Sequence, residues 1–183
     1  MTVDSIEKLL VEELKDLHSA ETQITKTLPK LIKAASSQEL KKAFETHLKE
    51  TEGQIERLDQ IFEILGKKAV NKTCVGMKGL ITEGSEMMQE TESGDVRDAA
   101  LISAAQRVEH YEISAYGTVR AYAEQIDQSE VVDLLEETLE EEKATDEKLT
   151  QIAKKINSAA KRAASLPLRS YRFVQPPNAR RAF

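Results

Sequence analysis

Leu10, Leu14, Leu17, Ile24, Leu28 and Leu31 recur at the three-, four- and seven-residue spacing of one buried helix face, and the place between Leu17 and Ile24 is filled by Glu21. The pattern returns in the second half of the chain, where Leu101, Ala105, Val108, Ala115, Val119 and Tyr122 form a stripe with Glu112 at its centre. An unpaired carboxylate in an apolar core is expensive. Two helices built this way must fold so that something offsets the charge of their inward acids.

The remaining sequence points to an all-α fold. Of 183 residues, 40% are apolar, 32% charged and only 4% aromatic, and alternating β-branched runs of strand type are missing. A first helix is expected over about residues 4–34, with Pro29 predicting a kink or break. Ser36 followed by Glu39 reads as a capping box that opens a second helix, and Gly66 closes it. A short helix over about 76–91 ends at Ser93-Gly94, and a third long helix covers about 95–126. Asp127-Gln128-Ser129 breaks the pattern before a fourth long helix over about 130–163. Four long amphipathic helices with a short one in the crossover predict a four-helix bundle over residues 1–164.

The two halves of this bundle look duplicated. Residues 39–61 match residues 130–152 at eight of 23 positions, including Leu48 with Leu139, Glu50 with Glu141 and Ile61 with Ile152. Background composition would give about two. The same offset lays Glu21 on Glu112, so the bundle is read as a repeated helix hairpin.

That repeat turns two inward acids into four. His47, Glu50 and Gln54 share a face of the second helix, and Thr138, Glu141 and Thr145 take the equivalent places on the fourth, with Glu142 and Asp146 close by. Carboxylates that face one another in a core either protonate or repel. A pair of cations removes the conflict, and Glu21, His47, Glu50, Glu112 and Glu141 are the candidate ligands. An oxygen-rich set with one nitrogen suits two iron or manganese ions better than zinc or copper. Gln54, Tyr111, Tyr116 and Asp146 are candidates to hydrogen-bond the ligands from outside. His18 and His110 fall beside the stripes and read as surface or satisfied histidines, and Glu109 as either an outer partner or a solvated acid. Met77, Met87 and Met88 read as gap-fillers under the short helix. The competing reading is a non-catalytic bundle whose acids are neutralised by protons, water or an idle ion.

Several partners and compartments are disfavoured. A net charge of −6 argues against nucleic acid as a partner of the bundle. No apolar run approaches the roughly 18 residues of a membrane span. Met1 is followed by polar, acidic residues rather than a secretory leader, and the single Cys74 has no disulfide mate, so a reducing cytoplasm is the expected compartment. From residue 158 to 183 there are six Lys or Arg, no acid, and Pro167, Pro176 and Pro177. Residues 165–183 are therefore expected to form a separate basic tail.

The stretches "ELKDLHSAETQI", "FETHLKETEGQIERLDQIFEILGKK", "AALISAAQRVEHYEISAYGT" and "LLEETLEEEKATDEKLTQIA" extend over nearly all of residues 4–155. Together they resemble the YciE/YciF-like stress proteins, a branch of the ferritin-like, rubrerythrin-related superfamily. The resemblance implies a ferritin-like bundle, a homodimer and a role in stress responses. The wider superfamily builds a di-metal site from Glu on two helices and Glu-x-x-His on the other two. Glu21 and Glu112 match the single glutamates, and Glu50 and Glu141 match the first residues of the longer motifs. Gly53 and Ala144 stand where that superfamily has histidine, and His47, one turn earlier, is the stand-in for one nitrogen ligand. The resemblance brings no settled reaction; a pair of iron or manganese ions in such a site would suit iron oxidation or peroxide removal.

Overall fold

The computed structural model describes residues 2–69 and 72–164, and the basic tail expected at 165–183 lies outside the described residues. Five helices follow one another: α1 (Ile6–Ala34), α2 (Gln38–Ile64), α3 (Val75–Glu90), α4 (Asp95–Gln125) and α5 (Ser129–Ala164). Among the described residues there is no strand. Several boundaries have a local cause. Ser5 and Ser37 cap α1 and α2 by accepting from the backbone N–H groups of Lys8 and Leu40. Gly66, at φ 63°, ends α2 in the left-handed conformation, and the Lys67 N–H returns to the Phe62 carbonyl at 2.9 Å. Asp127, at φ 55°, makes the tight turn from α4 into α5.

The long helices surround one axis. α1 packs on α2 and on α4, α5 packs on α4 and on α2, and α3 lies across α4 and α1. Three contacts fix the α2–α5 register: Lys155 to Glu39 at 2.8 Å, Gln54 to Glu141 at 3.1 Å and Arg57 to Thr138 at 2.8 Å. The α5 partner falls in number as the α2 residue rises, so the two run antiparallel. The three-residue turns 35–37 and 126–128 make each hairpin antiparallel as well.

The core is two apolar blocks rather than one. One block joins Ile24 and Leu28 of α1, Phe44 of α2, Leu101 of α4 and Leu149 and Ile152 of α5. The other joins Leu14 and Leu17 of α1, Leu58 of α2, Val119 of α4 and Leu135 and Leu139 of α5. On every long helix at least one buried polar residue falls between the blocks: Glu21 on α1, His47, Thr51 and Gln54 on α2, Glu109 and Glu112 on α4, and Glu142 on α5.

Three local expectations change. Of the kink or break expected at Pro29, the break does not occur: α1 continues as an α-helix through it, with Leu28 held in the core and Pro29 facing solvent, where water can serve the carbonyl the proline leaves free. The cap of α2 is Ser37 rather than Ser36. The fully buried carboxylate of Asp98, at the start of α4, accepts from the backbone N–H groups of both Ser36 and Ser37, at 2.8 and 2.7 Å. Among the methionines Met77 is buried, Met88 packs against the core, and Met87 faces solvent.

Asp98 thus ties the α1–α2 turn to α4. Asp98→Ala leaves two N–H donors without their charged acceptor, a loss of about 2 kcal/mol. In a domain of this size, thermal melting should show Tm lower by about 4–8 °C with helix content unchanged.

Candidate metal centre

Between the two apolar blocks, every long helix contributes polar side chains. α1 supplies Glu21, α2 His47, Thr51 and Gln54, α4 Glu109 and Glu112, and α5 Glu142, all buried, while the buried Tyr116 and Thr138 lie at the level of the second block. His47, Glu109, Glu112 and Glu142 each offer one ligand atom, and those atoms all lie within 4.8 Å of one another. His47 Nε2 is 3.3 Å from Glu109 Oε1. Glu21 adjoins this group and accepts a 2.5 Å hydrogen bond from the Tyr116 hydroxyl. Gln54 donates to Glu142 at 2.5 Å and to Glu141 at 3.1 Å, and Arg57 holds both oxygens of Glu141 at 2.6 Å.

Burial sets the electrostatics. It pushes Glu21 up to about 8, with the neighbouring Glu142 charge adding to the rise. It raises Glu109 and Glu112 well above the ordinary carboxylate range, helped by Glu142 and Glu21 respectively. Glu142 rises to about 7 by burial, opposed by its contacts with Glu109 and Gln54. His47 is pushed down to about 4 by burial, then by the Lys148 charge, so its imidazole is neutral, as a metal ligand must be.

Does this donor set suit a cation? With the acids ionised, one oxygen each of Glu21, Glu109 and Glu142, both oxygens of Glu112 and both ring nitrogens of His47 are buried without a hydrogen-bond partner. Buried polar atoms are ordinarily satisfied. Protons shared within the Glu21–Glu112 and Glu109–Glu142 contacts would serve the acids but not the ring nitrogen of His47 that carries no proton. Cations would serve the carboxylate oxygens and that nitrogen together. Four carboxyls and one imidazole form a hard, oxygen-rich set, and the residues fit.

Of the acids and histidine expected from sequence, Glu21, His47 and Glu112 come together in this layer. Glu50 and Glu141 do not. Glu50 lies at the rim with its side chain 35% exposed, and Glu141 is 28% exposed and turned to Arg57. Glu109 and Glu142 take the inner places. Their phase was present in the sequence: Glu142 falls seven residues after Leu135 and seven before Leu149, and Glu109 seven after Ile102 and seven before Tyr116. Of the outer partners, Gln54 and Tyr116 bond the layer as expected. Tyr111 instead bonds Asp16 and Cys74, and Asp146 bonds Gln106 on the surface side. His18 pairs with Asp59, and the exposed His110 lies 3.4 Å from Asp146.

The arrangement has relatives. Residues 5–162 match the family model described as domain of unknown function DUF892. Protein YciF of Escherichia coli K12 is 50% identical over 164 residues, which cover 89% of this chain and 98% of that protein. The crystal structure of the E. coli stress protein YciF matches with a TM-score of 0.83, covering 85% of this chain and 99% of that one. YcfI from Rhodopseudomonas palustris matches at 44% identity with a TM-score of 0.78, covering 81% of this chain and 94% of that one. A ferritin-like, diiron-carboxylate protein from Bacillus anthracis shares the fold at 18% identity, with a TM-score of 0.65 over 82% of this chain and 99% of that one. The five helices and the absence of strand among the described residues, with the match over residues 5–162, lead to one assignment: the chain belongs to the DUF892 family, with YciF among its relatives, and has the ferritin-like fold.

Proposed function

We propose that the layer between the apolar blocks holds a carboxylate-bridged pair of iron or manganese ions, and that the protein serves a stress response by oxidising iron or removing peroxide. The observation that carries this reading is the set of buried, unpartnered oxygens and nitrogens contributed by all four long helices. Glu21, His47, Glu109, Glu112 and Glu142 would hold the ions, which when bound supply the electrons and Lewis acidity for reducing dioxygen or peroxide. The chain's own part is positional. Tyr116 keeps its proton on one oxygen of Glu21 and leaves the other facing the layer. Gln54 does the same for Glu142, and Arg57 holds Gln54's second acceptor, Glu141, outside the layer. The apolar blocks above and below close the two ends of the layer to water.

Elemental analysis after loading with iron or manganese should find up to two ions per chain. Glu112→Gln, which keeps the shape and removes the charge, should bind fewer, and oxidation of ferrous iron or consumption of peroxide should fall with it. A wild type that stays metal-free after loading, with a Glu112→Leu variant that melts higher, would end this reading, because the acid would then be only a buried liability.

The pH dependence of stability gives a second test. The folded, metal-free protein keeps protons on Glu21 and Glu142 up to about 8 and 7, whereas an unfolded glutamate releases its proton near 4.5. Stability from these groups is complete below about 4.5 and is lost as pH rises through 7 to 8. His47 has the opposite sign: its folded value near 4 lies below 6.5, so its contribution is lost as pH falls from 6.5 towards 4. Between about pH 6.5 and 8 only the acids act, and the Tm of metal-free protein should decline with rising pH. Loading with manganese should reverse the slope, since the ligands must shed protons to bind. Parallel melting curves with and without metal check both signs.

A further inference from the structure

A cavity of about 180 Å³ opens between α2 and α5 and reaches His47 and Glu109. Its floor is these two residues, both buried and both carrying unpartnered atoms that belong to the layer described above. Its walls are Ala43, Phe44 and Leu149, and its mouth is formed by Glu50, Thr145 and Lys148, with Ala144 between them. Glu50 is 35% exposed, its Oε2 is 4.0 Å from His47 Nδ1, and the other ring nitrogen of His47 is 3.3 Å from Glu109 Oε1. The Thr145 hydroxyl steadies Glu50 from α5 at 3.5 Å. Carboxylate, imidazole and carboxylate therefore form a ladder of donor atoms from solvent to the interior. A second cavity reaches the same two residues from the opposite side, but it measures about 30 Å³ and, apart from them and Thr27, its lining is apolar. An ion entering that way would lose its water with nothing to replace it.

We infer that the α2–α5 cavity is the inlet for a divalent cation, and that Glu50 is a transit ligand that takes the ion from solvent and passes it to His47 and Glu109. This rests on the reading that the layer binds metal. It explains why an acid at a position so close to the site is left at the rim with its carboxylate turned towards the imidazole. Lys148 shares the mouth and opposes a cation there, so the two residues bias the inlet in opposite directions.

Stopped-flow uptake of cobalt(II), followed by its visible absorption, tests the inlet on the full chain at low ionic strength. Glu50→Gln should slow uptake about tenfold, the lower end of electrostatic steering effects, and leave the cobalt content at equilibrium as in wild type. Ala144→Leu, which narrows the mouth without touching a charge, should also slow uptake with the same final content. Lys148→Met should speed uptake severalfold, and its advantage should fade at high salt. Unchanged rates in all three variants would overturn the inlet, with the metal reading left standing. Faster uptake in Glu50→Gln with slower uptake in Lys148→Met would overturn it in favour of a mouth built for anions. A lower final cobalt content in Glu50→Gln would make Glu50 a resident ligand and not a transit one. A wild type that binds no cobalt would overturn the metal reading itself, and the inlet with it.

Discussion

The structure depends on four carboxyl groups packed against one another in a layer with a single neutral imidazole. Charges at such distances in a medium of low dielectric repel strongly, and burial alone already disfavours each ionised form. Glu21, Glu109, Glu112 and Glu142 cannot all be ionised there without a counter-charge. Everything around them is consistent with keeping that layer intact. The apolar block that includes Leu14, Leu17, Leu58 and Leu135 seals one side, and the block that includes Ile24, Phe44, Leu101 and Leu149 seals the other. Fully buried leucines of this kind contribute about 2 kcal/mol each. The two blocks offset the electrostatic penalty, so the bundle tolerates the layer and holds its donors in place.

Arg57 shows how the charge is apportioned. Its guanidinium is only 12% exposed and is committed to Glu141 and Thr138, with Glu137 at 3.8 Å. It stands at the edge of the layer, not inside it. Gln54 bridges the two zones, donating to the outer Glu141 and the inner Glu142 from one nitrogen. The adjacent acids of α5 therefore have separate tasks. Glu141 neutralises Arg57 and anchors the amide, and Glu142 presents its free oxygen to the layer.

That division explains what could be read from the sequence and what could not. The stripes through Glu21 and Glu112 are local, repeated and long, so the helices, their order and two of the inner acids followed from periodicity. On α5 the repeat favoured Glu141, the mate of Glu50, whereas the heptad phase between Leu135 and Leu149 favours Glu142. Neighbouring residues on a helix point about 100° apart, and the choice between them was made by Arg57, whose reach to Glu141 exists only once α2 and α5 have docked. The Asp98 cap is hidden for the same reason: its acceptor lies 62 residues from Ser36, and no local pattern announces it. The family resemblance carried the fold correctly, whereas the rim acids came from the repeat, which pairs Glu50 with Glu141 and carries no information on burial.

The duplicated hairpins have also diverged where charge matters. Glu21 and Glu112 remain equivalent on α1 and α4. On α2, however, the position equivalent to Glu142 is Thr51, and the position equivalent to Thr138 is His47. Thr51 is fully buried and returns its hydroxyl to the His47 carbonyl at 2.8 Å, so it is neutral and needs nothing further. A glutamate at that position would restore the symmetry of the repeat and place a fifth acid in the layer. On the two-cation reading, four carboxylates balance the four positive charges of two divalent ions, and a fifth would leave a net negative charge buried between two apolar blocks. Histidine at 47 adds a neutral donor and threonine at 51 adds no charge, so the number of charges stays at four. The asymmetry between the halves is what a layer limited by electrostatics, more than by space, would require.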